Sequence, residues 1–264
     1  MITYRAVCLR GARAVQGGVG AAKVLLPVLL TCAAPAAAAP ADEKALEAAT
    51  TLCYQGRGGN TQNHGGAADA EAEYTRGRFI FDGAGSYSVS ASDGKKNGES
   101  VRFSAGVKYF LTAGERFYGR YKAEWHRNVF SGFEYRFYNF AGPGVYLLKS
   151  DAQELSVEGG PNYVREDYPD ASGEGAASFA AARLGADYQV FLTGPGEIDA
   201  SATWDLDLKN TTDQLFAAGV TLRVHVARWL AVTATEKIDW DNVPPEGYGS
   251  LDVTTTFGCT LRNY

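Results

Sequence analysis

The stretch that decides the fold is Ile198-Asp199-Ala200-Ser201-Ala202-Thr203-Trp204-Asp205-Leu206-Asp207-Leu208-Lys209. Its apolar residues fall on even numbers and its polar residues on odd ones. A period of two places the two sets on opposite faces of a β-strand. The next run repeats the pattern. Phe216, Ala218, Val220, Leu222, Val224 and Val226 share one face, and Ala217, Gly219, Thr221, Arg223 and His225 share the other. Earlier in the chain, Phe117, Gly119, Tyr121, Ala123 and Trp125 alternate with Arg116, Tyr118, Arg120, Lys122, Glu124 and His126. Val101, Phe103, Ala105 and Val107 alternate with Arg102, Ser104, Gly106 and Lys108. Helical periodicity is nearly absent.

Turn chemistry punctuates these runs at Ser92-Asp93-Gly94, Thr112-Ala113-Gly114, Gly194-Pro195-Gly196 and Asn210-Thr211-Thr212. The spacing predicts about twelve strands, at 47–56, 67–77, 78–91, 100–111, 115–128, 132–148, 153–166, 176–192, 197–209, 213–226, 228–241 and 249–264. The expected fold is all-β, a closed up-and-down antiparallel transmembrane barrel.

The first 41 residues are set apart from this rhythm. Arg5, Arg10, Arg13 and Lys23 precede the apolar run Val24–Leu30, and Ala39-Pro40-Ala41 offers small residues at a cleavage point. This reads as a secretory signal peptide over 1–41, leaving 42–264 as a single barrel domain. An N-terminal anchor interrupted by Pro27, Pro35 and Pro40, or a lipoprotein signal at Cys32, are the competing readings. Cleavage would remove four basic residues and no acid, taking the net charge of −5 to −9. That balance excludes a nucleic-acid partner.

Period two alone does not separate a soluble sandwich from a membrane barrel. Export, strands longer than the roughly five or six residues usual in soluble proteins, and aromatics near strand ends favour the barrel. Those aromatics are Phe117, Phe130, Phe133, Trp204, Trp229, Trp240 and Tyr264. A soluble periplasmic β protein is the alternative. The membrane reading implies a Gram-negative outer membrane, with lipid, lipopolysaccharide and the barrel assembly machinery as partners.

Several motifs resemble the YdiY-like family of salt-induced outer-membrane proteins, which has no assigned biochemical function. They are Leu52-Cys53-Tyr54-Gln55-Gly56-Arg57-Gly58-Gly59-Asn60-Thr61, Gly132-Phe133-Glu134-Tyr135-Arg136, Gly142-Pro143-Gly144, Gly159-Gly160-Pro161-Asn162-Tyr163-Val164-Arg165-Glu166-Asp167, and Asn242-Val243-Pro244-Pro245-Glu246-Gly247. The resemblance runs from about residue 50 to the C-terminus and implies an outer-membrane barrel without an assigned activity. At the end of the chain, Tyr264 has the opposite parity to Phe257, Cys259 and Leu261.

On this fold the charged face lines the lumen. Arg102, Lys108, Arg116, Arg120, Lys122, Glu124, Asp199, Asp205, Asp207 and Arg223 are the candidate lumen residues. Two functions follow: a small passive channel for polar solutes, or a barrel plugged by ion pairs. Bases gather in the fifth and sixth strands and acids in the second and ninth, so a transverse field would arise if those strands faced each other. An enzyme acting on lipid or lipopolysaccharide is the third reading, with His126 and Glu124 as its pair and no serine at an obvious partner position. Three scattered histidines, and two cysteines in the mature chain, suit no metal or cofactor. Cys53 and Cys259 fall at similar heights in the first and last strands, which leaves two readings: a disulfide across the seam, or two small apolar side chains facing lipid.

Overall fold

The computed structural model describes residues 46–58, 63–92, 95–112, 114–128, 130, 133–168, 175–244 and 249–263. The segment read as a signal peptide lies outside the described residues, as does Tyr264. Twelve strands follow in order: β1 Glu47–Gly58, β2 Asn63–Arg76, β3 Phe79–Ser92, β4 Lys95–Phe110, β5 Phe117–Asn128, β6 Phe133–Lys149, β7 Gln153–Asp167, β8 Ala177–Phe191, β9 Gly196–Asp207, β10 Gln214–Ala227, β11 Leu230–Asp241 and β12 Leu251–Asn263. Each pairs antiparallel with its neighbour in sequence, and β1 pairs with β12 to close the barrel. Closure leaves no edge strand with unpaired backbone groups. The expected twelve-strand, up-and-down antiparallel barrel is therefore the observed one.

The largest difference in boundaries is at β4, which starts at Lys95 rather than near residue 100. Lys95 pairs with Ser92, and a bulge between Ser90 and Ala91 absorbs the extra residue. The polar run there, which reads as a loop, instead continues the ladder. At the opposite end the β2–β3 hairpin is tight, since Arg76 pairs directly with Phe79. Gly77 takes φ of 58°, a left-handed turn conformation that a side chain resists.

The two faces differ as the alternation requires. The outer face carries exposed Phe81, Phe103, Tyr121, Leu184, Trp204, Val220, Val232 and Phe257. These exposed apolar side chains form a broad belt on the outer surface of the barrel. Trp229 and Phe130 are exposed near strand ends, consistent with aromatic girdles. Phe133 differs: it is 5% exposed and packs edge-on against His126, so it belongs to the inner face.

Candidate functional site: the lumen

The inner face divides into two sectors. From β4 to β8 it is filled. Phe110, Tyr118 and Tyr146 form a buried cluster, with Ile80 packed against it. Phe140 and Val164 are fully buried nearby in the chain order of the wall. The filling depends on the backbone of β6. A Cβ on Gly144 would lie 2.2 Å from Tyr118 Cζ, so only glycine lets that ring lie against the wall. The Gly142-Pro143-Gly144 motif thus makes room for an aromatic side chain from β5.

Charges in this sector are paired. Arg183 Nε and Nη2 donate to Asp205 at 2.8 and 2.6 Å, and Asn162 Nδ2 donates to the same carboxylate at 2.8 Å. The Arg183 guanidinium stacks 5.0 Å from the Tyr138 ring. Arg136 pairs with Glu166 and reaches Asp241 at 3.3 Å. Because Arg136 stands on β6 and Asp241 on β11, this bridge crosses the lumen. Arg120 forms a two-pronged pair with Asp82. Lys108 Nζ donates to Tyr146 Oη at 3.1 Å and lies 4.8 Å from the Tyr118 ring.

The other sector, centred on β1–β3 and β10–β12, is lined mainly by Thr, Ser and Ala. It holds two abutting cavities of about 410 and 240 Å³. The larger lies toward the β11–β12 end of the barrel and extends to the border of the filled sector, with Lys122, Glu124, Tyr138 and Arg183 as well as Asp239 and Asp252 in its wall. The smaller is lined by Thr51, Cys53, Glu71, Thr221, Arg223, Thr233 and Thr235, among others. Asp69, Ser86, Arg102, Lys237 and Thr256 line both, and therefore form the neck between them. Arg223 holds Glu197 at 3.0 Å and Asp199 more closely, and it approaches Glu71 of β2 at 3.9 Å.

The candidate lumen residues are distributed unevenly over this plan. Arg102, Lys122 and Glu124 meet in the larger cavity, where Arg102 is 3.4 Å and Lys122 3.8 Å from Glu124. Asp205 lies at the edge of the same cavity and is tied to Arg183. Asp199 and Arg223 meet at the far end of the smaller cavity. Lys108 and Arg120 stand in the filled sector. Asp207 is buried and accepts the backbone N–H of Lys209 at the end of β9. Arg116 is not in the lumen: it is exposed in the connection before β5, with its guanidinium 6.0 Å from the Phe117 ring.

Two further expectations are corrected. In a ring of twelve strands, β5 faces β11, β2 faces β8 and β9 faces β3, so the basic fifth and sixth strands do not face the acidic second and ninth. The seam disulfide is absent, and both thiols are free. Leu52 pairs with Cys259, and Cys53 pairs with Gly258. The cysteines do sit at one height, but the one-residue offset turns Cys53 into the lumen and Cys259 outward.

His126 has a partner that the sequence reading missed. Ser100 Oγ lies 2.9 Å from its Nε2, while Arg102 Nη2 lies 3.4 Å from Nδ1. A hydrolytic pair needs the opposite polarity, with an acceptor at Nδ1 and a free lone pair at Nε2. A guanidinium offers only donors. The signal was available: antiparallel pairing of β4 with β5 sets Arg102 opposite His126, which leaves Ser100 one diagonal step away on the same face. Among the described residues no cluster of His, Cys, Asp or Glu is arranged to hold a metal ion.

Known structures share this architecture. The translocator domain of the autotransporter NalP from Neisseria meningitidis matches with a TM-score of 0.50 at 14% identity, over 84% of this chain and 90% of that one. The NanC porin matches with a TM-score of 0.54 at 10% identity, over 83% of this chain and 100% of that one. At such identities the likeness shows the fold alone, a closed antiparallel β-barrel. No curated protein matches the chain. Residues 50–261 match the family model described as "Protein of unknown function, DUF481", and the chain belongs to that family.

Proposed function

We propose that this chain spans the outer membrane of a Gram-negative cell as a narrow passive channel for small polar solutes, without enzymatic activity. The observation that carries the reading is the run of two polar cavities joined at Asp69, Arg102 and Lys237. A plugged barrel has no need of a continuous polar sector lined by Ser and Thr. The apolar outer belt supports insertion among lipid and lipopolysaccharide. Export would use residues 1–41 as a signal peptide, and insertion would use the barrel assembly machinery. Within its family the chain is read as a YdiY-like protein.

The test is single-channel conductance of the refolded mature chain in a planar bilayer. Stable ohmic steps are the expected result. Silence from a chain whose folding is confirmed by heat-modifiable mobility would contradict it. One observation favours a second reading, a structural barrel with a closed lumen: the Arg136–Asp241 bridge crosses the interior. Silence in the bilayer would turn the assignment to that reading.

A further inference from the structure

The passage carries both signs of charge at each of its levels. In the larger cavity, Arg102 and Lys122 stand on β4 and β5, and Asp239 and Asp252 on β11 and β12. In a twelve-strand ring β5 lies opposite β11, so a basic wall faces an acidic one there. Neither wall is pure: Glu124 sits beside the basic pair and Lys237 beside Asp239. The walls therefore nearly balance in total charge; Arg136 of β6 bridges to Asp241 of β11 at one point, but among the described residues no ion pair joins Arg102 or Lys122 to Asp239 or Asp252. At the neck, Arg102 and Lys237 meet Asp69. In the smaller cavity, Arg223 faces Glu71 across the lumen. The lining between these groups is hydroxyl-rich, with Ser86 and Thr256 at the neck itself.

A balanced but divided lining treats three kinds of solute differently. A net ion is attracted by one wall and repelled by the other. An uncharged polyol must compete with water for the same charges and returns only dipoles. A small zwitterion satisfies both walls at once and exchanges one pair of opposite charges for the next as it descends. We propose that the solute class of this passage is the small zwitterion, with its anionic end toward Arg102 and its cationic end toward Asp239. This rests on the channel reading above.

The test is swelling of liposomes that hold the refolded mature chain, with 4-aminobutyrate as the zwitterion and erythritol as an uncharged solute of similar size. Faster entry of 4-aminobutyrate is expected in the wild type. In the double variant Arg102→Gln/Asp239→Asn its advantage should fall by about fivefold, the scale of one water-exposed charge contact. Erythritol entry should change little, which also shows that the variant has folded. Equal rates for the two solutes in the wild type, or an advantage untouched in the double variant, would overturn the inference while leaving a channel. Entry of neither solute into liposomes holding folded barrel would overturn the channel reading and this one with it.

Discussion

The two sectors of the lumen are built from the same alternating strands, yet one is packed and the other is open. Between β4 and β8, inward positions hold Phe110, Tyr118, Phe140 and Tyr146. On β1–β3 and β10–β12, inward positions hold Thr51, Ser86, Thr221, Thr233, Thr235 and Thr256. Both sectors are rich in charge. They differ in side-chain reach and in how charges are used. At the border of the packed sector, where both line the larger cavity, Arg183 and Asp205 are 8% and 4% exposed and satisfy each other. In the open sector Lys237 faces the cavities, and among the described residues no ion pair within 4 Å is recorded for it. Ring volume, more than polarity, thus decides where a barrel of this size is solid.

Substitutions can break that contrast, and the losses expected in the packed sector descend from Phe140 through Arg183 to Gly144, each set against its open-sector counterpart where there is one. Phe140→Ala hollows the packed sector and should cost about 3–5 kcal/mol. The equivalent truncation Thr235→Ala in the open sector should cost less than about 1 kcal/mol, because it removes one exchangeable hydroxyl contact with Thr221. Urea unfolding from micelles, followed by tryptophan fluorescence, compares the two. Arg183→Ala strands a buried Asp205 and should cost about 3 kcal/mol, whereas Lys237→Gln should cost about 0.5 kcal/mol or less. Gly144→Val forces the Tyr118 ring off the β6 wall and should cost about 1–3 kcal/mol. If it were neutral, the close approach at Gly144 would not be what holds the aromatic cluster in place.

A small, pH-dependent effect lies outside the barrel wall. Asp213, in the β9–β10 connection, has its pKa pushed up to about 6, first by burial and then by Asp241, Glu166 and Asp207. A carboxyl raised on folding favours the protonated native state. Its contribution is therefore intact below the unfolded pKa near 4 and is lost as pH climbs through about 6. Partial exposure keeps this below about 1 kcal/mol. Asp213→Asn should match the wild type in stability at pH 4 and exceed it slightly at pH 7. An equal difference at both values would contradict the assignment.

The barrel itself was legible because period two survives in every strand, as in Ile198–Asp207 and Phe216–Val226. Facing and height are properties of single strands. What was not legible depends on register between strands distant in sequence. Cys53 and Cys259 illustrate this: their heights follow from counting along each strand, but whether they stand directly opposite each other depends on the β1–β12 register set by closure. Opposition of strands, by contrast, follows from the count and order of an up-and-down ring, so twelve strands already imply β5 against β11 and β2 against β8. Ser100 escaped notice because the Ser92–Gly98 stretch reads as a loop, which left it at the ragged start of β4 rather than beside His126. Nor does the pattern of inward residues show which rings meet at one level, as Tyr118 and Tyr146 do.

The central claim is that solutes pass through the open sector, and the native thiol in its wall tests that most directly. Cys53 lines the smaller cavity while Cys259 faces outward. The measurement is single-channel current through the refolded mature chain before and after a small, charged, water-soluble methanethiosulfonate reagent, with Cys53→Ser as control. The account predicts ohmic steps that shrink after modification in the wild type and are unchanged in Cys53→Ser. Steps indifferent to modification of Cys53, or no steps from a folded barrel, would contradict it.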